Sequence, residues 1–130
     1  MKVADIMKKD IVSVQGDTSI QEAAEIIVEK KIGSIAISDD GVPVGIVTEK
    51  DFVKYLASGR ATDYVGDIMS APLIRVKFDA ELQDALKILS EHGIKHLFVE
   101  GEHEEGFTFG EIIGIISVRD VIKNLPDPSN

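Results

Sequence analysis

The chain repeats itself. Val3-Ala4-Asp5-Ile6-Met7 returns as Val65-Gly66-Asp67-Ile68-Met69, an offset of 62 residues. At the same offset Val14 meets Val76, Asp17 meets Asp79, Ala23 meets Ala85, Ile32 meets Ile94 and Ile35 meets Leu97. Gly45-Ile46-Val47-Thr48-Glu49-Lys50-Asp51 is then answered by Gly114-Ile115-Ile116-Ser117-Val118-Arg119-Asp120 at an offset of 69, so the second copy carries seven extra residues between Val99 and Gly114. A repeat of about 55–60 residues is marginal for a private core, so two copies are expected to complete one another. The predicted organisation is repeat 1 over 1–57, a linker over 58–64 and repeat 2 over 65–125. An acidic hairpin insertion is expected near 100–111, and a tail over 126–130 that Pro126 and Pro128 keep from continuing the last helix.

Each copy follows one plan, β-α-β-β-α, after a short opening turn at Asp5-Ile6-Met7. Ile11 to Val14 is a β-branched run, hence a strand. Thr18 is placed to cap the next helix, with Gln21 three residues on as its capping-box partner. Ile20, Ala23, Ala24, Ile27 and Val28 make one apolar stripe at helical spacing, and Gly33 follows its end. Ile35 to Ile37 and Val44 to Val47 are strands about the turn Asp39-Asp40-Gly41, and Thr48 opens a second helix that stops near Gly59. In the second copy Leu82, Ala85, Leu86 and Leu89 form the stripe and Gly93 ends it. Leu97 to Val99 and Ile112 to Ile116 are strands, and Val118, Val121, Ile122 and Leu125 belong to the last helix. The class is α/β (α+β), with two repeats expected to pack sheet to sheet about a pseudo-twofold axis and to form two clefts beside helix N-termini.

Composition removes several functions. A net charge of −9 speaks against a nucleic-acid surface, which needs clustered Lys and Arg. The absence of cysteine removes disulfides, thiolate catalysis and Cys-ligated zinc. The start carries no long apolar run and no stretch is long and apolar enough to span a bilayer, so neither a signal peptide nor a membrane partner is expected, and the expected location is cytoplasmic. Within Thr48-x-x-Asp51 and Ser117-x-x-Asp120 a hydroxyl stands at a helix N-cap and an aspartate in the first turn. Such turns present free N–H groups that attract anions. The same four residues also read as a capping box, worth about 1 kcal/mol each with no ligand at all.

Two ordered copies of Asp-Ile-Met, the Ala23/Ala85 helix, the strand after Ile32/Ile94 and the Gly-apolar-apolar-Thr/Ser-x-x-Asp close resemble the CBS domain, and the tandem resembles a CBS pair, or Bateman module, standing alone. The resemblance covers nearly the whole chain. It implies a non-catalytic regulatory module that binds an adenosine-containing ligand (AMP, ADP, ATP or S-adenosylmethionine), requires no cofactor or metal, forms a homodimer and signals to a regulated protein. Carried over, the ribose-binding aspartates are Asp51 and Asp120, the nearby hydroxyls Thr48 and Ser117, and the phosphate-side residues Lys50 and Arg119. Asp120 and Ser117 would work with Val12, Ile32 and Gly33; Asp51 and Thr48 with Ile74, Ile94 and Lys95. A basic pair found in some members falls on Lys95-His96, where the first copy has Gly33-Ser34, so the two clefts are expected to differ. The chemistry agrees: a carboxylate offers two acceptors to two vicinal ribose hydroxyls, and Lys50, Arg119 and Lys95 can balance phosphate.

Competing readings are a ligand-free structural or dimerisation module, and a small nucleotide hydrolase built on Asp120 and His96. His92 and His96 have zinc-like spacing, but Gly93 between them ends the helix, so no metal site is expected. Met7 and Met69 read as core packing, Glu22, Glu25 and Glu29 as a solvated face, and Phe52, Tyr55 and Leu56 as a dimer surface.

Overall fold

The computed structural model describes residues 1–102, 105–106 and 110–124. His103, Phe107, Phe109, Leu125 and the 126–130 tail lie outside them, as do residues 103–104 and 107–109 of the expected hairpin. The described residues form a mixed α/β fold of two three-stranded sheets and four α-helices. They divide into two compact units, and the division does not follow the repeats. One unit is residues 11–73; the other joins residues 1–10 to the chain from Ile74 onward.

In the 11–73 unit, β1 (Ser13–Gln15) lies parallel to β2 (Ser34–Asp39), which turns back into antiparallel β3 (Val42–Thr48). The crossover from β1 to β2 is α1 (Ile20–Lys30), and α2 (Glu49–Ser58) follows β3. The other unit repeats this with β4 (Arg75–Lys77), α3 (Leu82–His92), β5 (His96–Glu100), β6 (Ile112–Ser117) and α4 (Val118–Lys123). The cores follow from the apolar stripes. Ala23 and Ile27 of α1 pack with Ile35, Ile37 and Val47; Ala85 and Leu89 of α3 pack with Leu97, Val99 and Ile116. At roughly 25 cal/mol per Å² of apolar surface, such burial is the main favourable contribution in each unit.

Local details correct the sequence reading. Ser19, not Thr18, caps α1: its Oγ accepts the Glu22 N–H at 3.0 Å, while the Thr18 carbonyl accepts the Val65 N–H at 2.9 Å. With its carbonyl taken by this long-range partner, Thr18 cannot accept the first helical bond, and the cap falls on the extended Ser19. Val28 is 75% exposed, at the edge of the α1 stripe, and Ile26 packs against the core instead. The first strand starts at Ser13 rather than Ile11. Both expected glycine stops of α2 and α3 are present: Gly59 and Gly93 take φ of 69° and 60°, the left-handed cap that glycine tolerates best.

The division of units explains the glycine that opens each repeated motif. The segment after Asp5-Ile6 crosses β6, and Lys8 exchanges backbone hydrogen bonds with Ile115 at 2.8 and 2.9 Å. Val3 is fully buried in this unit's core. A Cβ on Gly114 would stand 2.7 Å from Met7 Sδ and 2.9 Å from the Lys8 carbonyl, so only glycine admits the crossing. The second copy does the same elsewhere: Ser70 exchanges backbone bonds with Ile46, and a Cβ on Gly45 would meet Met69 Sδ at 2.5 Å and the Ser70 carbonyl at 3.0 Å. Each opening segment therefore completes the sheet of the other repeat's body. Gly114→Ala is expected to destabilise the protein by about 1–3 kcal/mol, the usual cost of overpacking, as measured by urea denaturation. A loss under about 0.5 kcal/mol, the scale of an ordinary surface substitution, would show that the crossing is not tight.

Candidate ligand-binding site

The site residues are built from the loop that turns each final strand into its helix. In the 11–73 unit β3 ends at Thr48 and α2 begins at Glu49. Asp51 Oδ2 accepts both the Thr48 N–H (2.8 Å) and the Thr48 hydroxyl (3.1 Å). Its Oδ1 has no hydrogen bond or ion pair from any described residue, and the side chain is half-buried. Gly33 lies beside this turn, its carbonyl accepting the Glu49 N–H. Lys50 is exposed, and Val12 and Ile32 are half-buried against the core.

The turn in the other unit has the same frame and different electrostatics. Asp120 Oδ2 accepts the Ser117 N–H (3.1 Å) and hydroxyl (2.8 Å), and Ser117 Oγ accepts the Asp120 N–H (3.1 Å), a complete capping box. Asp120 is buried, and its Oδ1 is 3.3 Å from Lys8 Nζ, whose side chain is 60% exposed. Lys95 and His96 flank the same turn: the Lys95 carbonyl accepts the Val118 N–H at 2.9 Å, and His96 is the cross-strand partner of Ser117. Arg119 is exposed; Ile74 and Ile94 are half-buried against the core. Burial holds the His96 imidazole below its ordinary pKa of 6.5; the Asp120 charge opposes this, and the charges of Lys95 and Lys8 reinforce it.

Of the residues singled out by sequence, the structure therefore brings Thr48, Asp51, Lys50 and Gly33 together in one unit, and Ser117, Arg119, Asp120, Lys95 and His96 in the other. The sequence reading missed Lys8. The signal was available as a difference between repeats, since the residue after Asp-Ile-Met is Lys8 in one copy and Ser70 in the other. It also missed the ion pair of buried Glu100, whose Oε2 is 3.5 Å from half-buried Arg75, at positions where the first copy has Ser38 and Ser13. Glu100 Oε2 also accepts the Gly110 N–H (3.2 Å), which ties down the far side of the seven-residue insertion. Among the described residues no group of His, Asp and Glu is arranged to hold a metal, and no helix is long and apolar enough to cross a membrane.

The family model for the CBS domain matches twice, at residues 3–58 and 65–127. The chain belongs to the CBS-domain family. It is 31% identical to an uncharacterised protein of Methanopyrus kandleri over 97% of this chain and 63% of that protein, so it spans less than two thirds of that relative's length. A CBS-domain containing protein from Agrobacterium tumefaciens, 32% identical, superposes with a TM-score of 0.81 over 94% of this chain and 96% of that one. The CBS domain pair of protein MJ0100, solved with 5′-methylthioadenosine and S-adenosyl-L-methionine, is 26% identical, with a TM-score of 0.81 over 95% and 94% of the two chains.

The half-buried His96 beside Asp120 makes stability pH-dependent in a defined direction. A histidine whose folded pKa is lowered favours the neutral form in the native state. Its contribution is complete above 6.5 and is lost as pH falls from there toward the lowered folded value. Urea denaturation across pH 7.5–5 is expected to show a steeper loss for wild type than for His96→Gln; equal slopes would contradict the assignment.

Proposed function

We propose that this CBS pair is a regulatory module that binds an adenosine-containing ligand without turning it over and reports occupancy to a regulated protein. The observation that carries this reading is the pair of Thr/Ser–Asp turns, each with one carboxylate oxygen fixed by the cap and the other turned away from it. An acceptor held in this way suits vicinal ribose hydroxyls, because its orientation is set before the ligand arrives. The adenosine compounds held by the MJ0100 pair support the class of ligand. Thr48, Asp51 and Lys50 in one unit, and Ser117, Asp120, Arg119, Lys95 and His96 in the other, are the residues assigned to hold ribose and its 5′ substituent. Val12, Ile32, Gly33, Ile74 and Ile94 supply apolar or backbone surface for the base.

The ligand acts by population shift, limited by its differential affinity for the two states of the module. Assembly with a second copy and a cytoplasmic setting belong to the same reading. On α2 the exposed apolar residues are Val53 and Leu56, whereas Phe52 and Tyr55 pack inward, so Val53 and Leu56 are the residues offered to that assembly.

Calorimetric titration with AMP, ATP and S-adenosylmethionine tests the reading. At least one is expected to bind, and Asp51→Ala or Asp120→Ala to weaken it by about tenfold or more, the effect of losing hydrogen bonds to a charged group. Circular dichroism checks that each variant stays folded. Heat from none of the three ligands would overturn the proposal and leave the two turns as helix caps.

A further inference from the structure

The two Asp-bearing turns share a backbone but not a charge environment, and the difference converges on one residue outside both turns. Lys8 arrives on the opening segment, fixed by its two backbone bonds to Ile115, and its ammonium takes the Oδ1 of buried Asp120. Lys95 and His96 border the same carboxylate, and Arg119 precedes it. In the 11–73 unit the matching positions are Ser70 for Lys8, Gly33-Ser34 for Lys95-His96, and Lys50 for Arg119, with Glu49 directly before Lys50. Asp51 there keeps its Oδ1 without a partner among the described residues. A bare adenosine approaching Asp120 therefore meets an acceptor already paired with a cation, whereas one approaching Asp51 does not.

We infer that Lys8 is a specificity-determining residue that makes the Asp120 turn selective for adenosine ligands carrying a 5′-phosphate. The ribose hydroxyls take over Asp120 Oδ1, and the displaced Lys8 ammonium passes to the phosphate, so no buried charge is left unmatched. A neutral adenosine also displaces Lys8 but offers it no anion, which leaves the cations around Asp120 uncompensated. The backbone clamp on Lys8 keeps its stem in place while the exposed end of the side chain reorients.

This inference rests on the adenosine reading above, and the experiment separates the two. AMP and adenosine are titrated into wild type, Lys8→Met and Lys8→Arg, with urea denaturation confirming that each variant folds. Lys8→Met is expected to lower AMP affinity by about tenfold, the scale of a lost charge-assisted contact, while adenosine affinity holds or improves because Asp120 Oδ1 is released. Lys8→Arg is expected to keep most of the preference for AMP. A parallel change in both ligands for Lys8→Met, or no change in either, would overturn the role of Lys8 while leaving adenosine binding intact. Failure of wild type to bind AMP would overturn the role of Lys8, and the adenosine reading falls with it only if ATP and S-adenosylmethionine also give no heat.

Discussion

The structure depends on a short backbone exchange across a glycine. Lys8 and Ile115 trade hydrogen bonds over Gly114, and Ser70 and Ile46 do so over Gly45. Each bond contributes only about 1 kcal/mol net, but the crossing it closes determines what the rest of the chain can do. It brings the buried side chains of the opening segments, Val3 and Ile6 in one unit and Val65 and Ile68 in the other, into cores that the adjoining repeat could not otherwise complete. A repeat of this size buries too little surface alone. Exchange of opening segments is how the tandem meets that limit, and it makes the compact units different from the sequence repeats.

The same crossing sets the chemistry of the Asp120 turn. Met7 and Lys8 can lie against β6 only because Gly114 has no side chain, and from there Lys8 reaches a carboxylate that is otherwise buried. A buried carboxylate with one oxygen capped and the other unpaired would be costly; the ammonium offsets that cost and adds a smaller push to the burial that lowers the His96 pKa. The other unit has the same backbone with Ser70 in place of Lys8, and its half-buried Asp51 is left without that counter-charge. Two copies of one motif have thus acquired different electrostatics through residues outside the motif.

Much of this was legible in the sequence because it is local. The apolar stripes of α1 and α3, the glycine stops at Gly59 and Gly93, and the hydroxyl–aspartate turns all follow from spacing over a few residues. What escaped was long-range. Thr18 loses the cap to Ser19 because Val65 claims its carbonyl. Lys8 drew no reading, because nothing in the neighbouring residues shows that its segment pairs with a strand more than a hundred positions away. Arg75 and Glu100 pair across neighbouring strands at the base of an insertion, and only the register reveals it.

A crystal structure of the protein grown with AMP tests the account most directly. It predicts the ribose hydroxyls on Asp120 Oδ1, the Ser117 cap unchanged on Oδ2, and Lys8 Nζ on the phosphate with the Lys8–Ile115 backbone pairing intact. A nucleotide bound while Lys8 still holds Asp120, or bound without touching either aspartate, would contradict it.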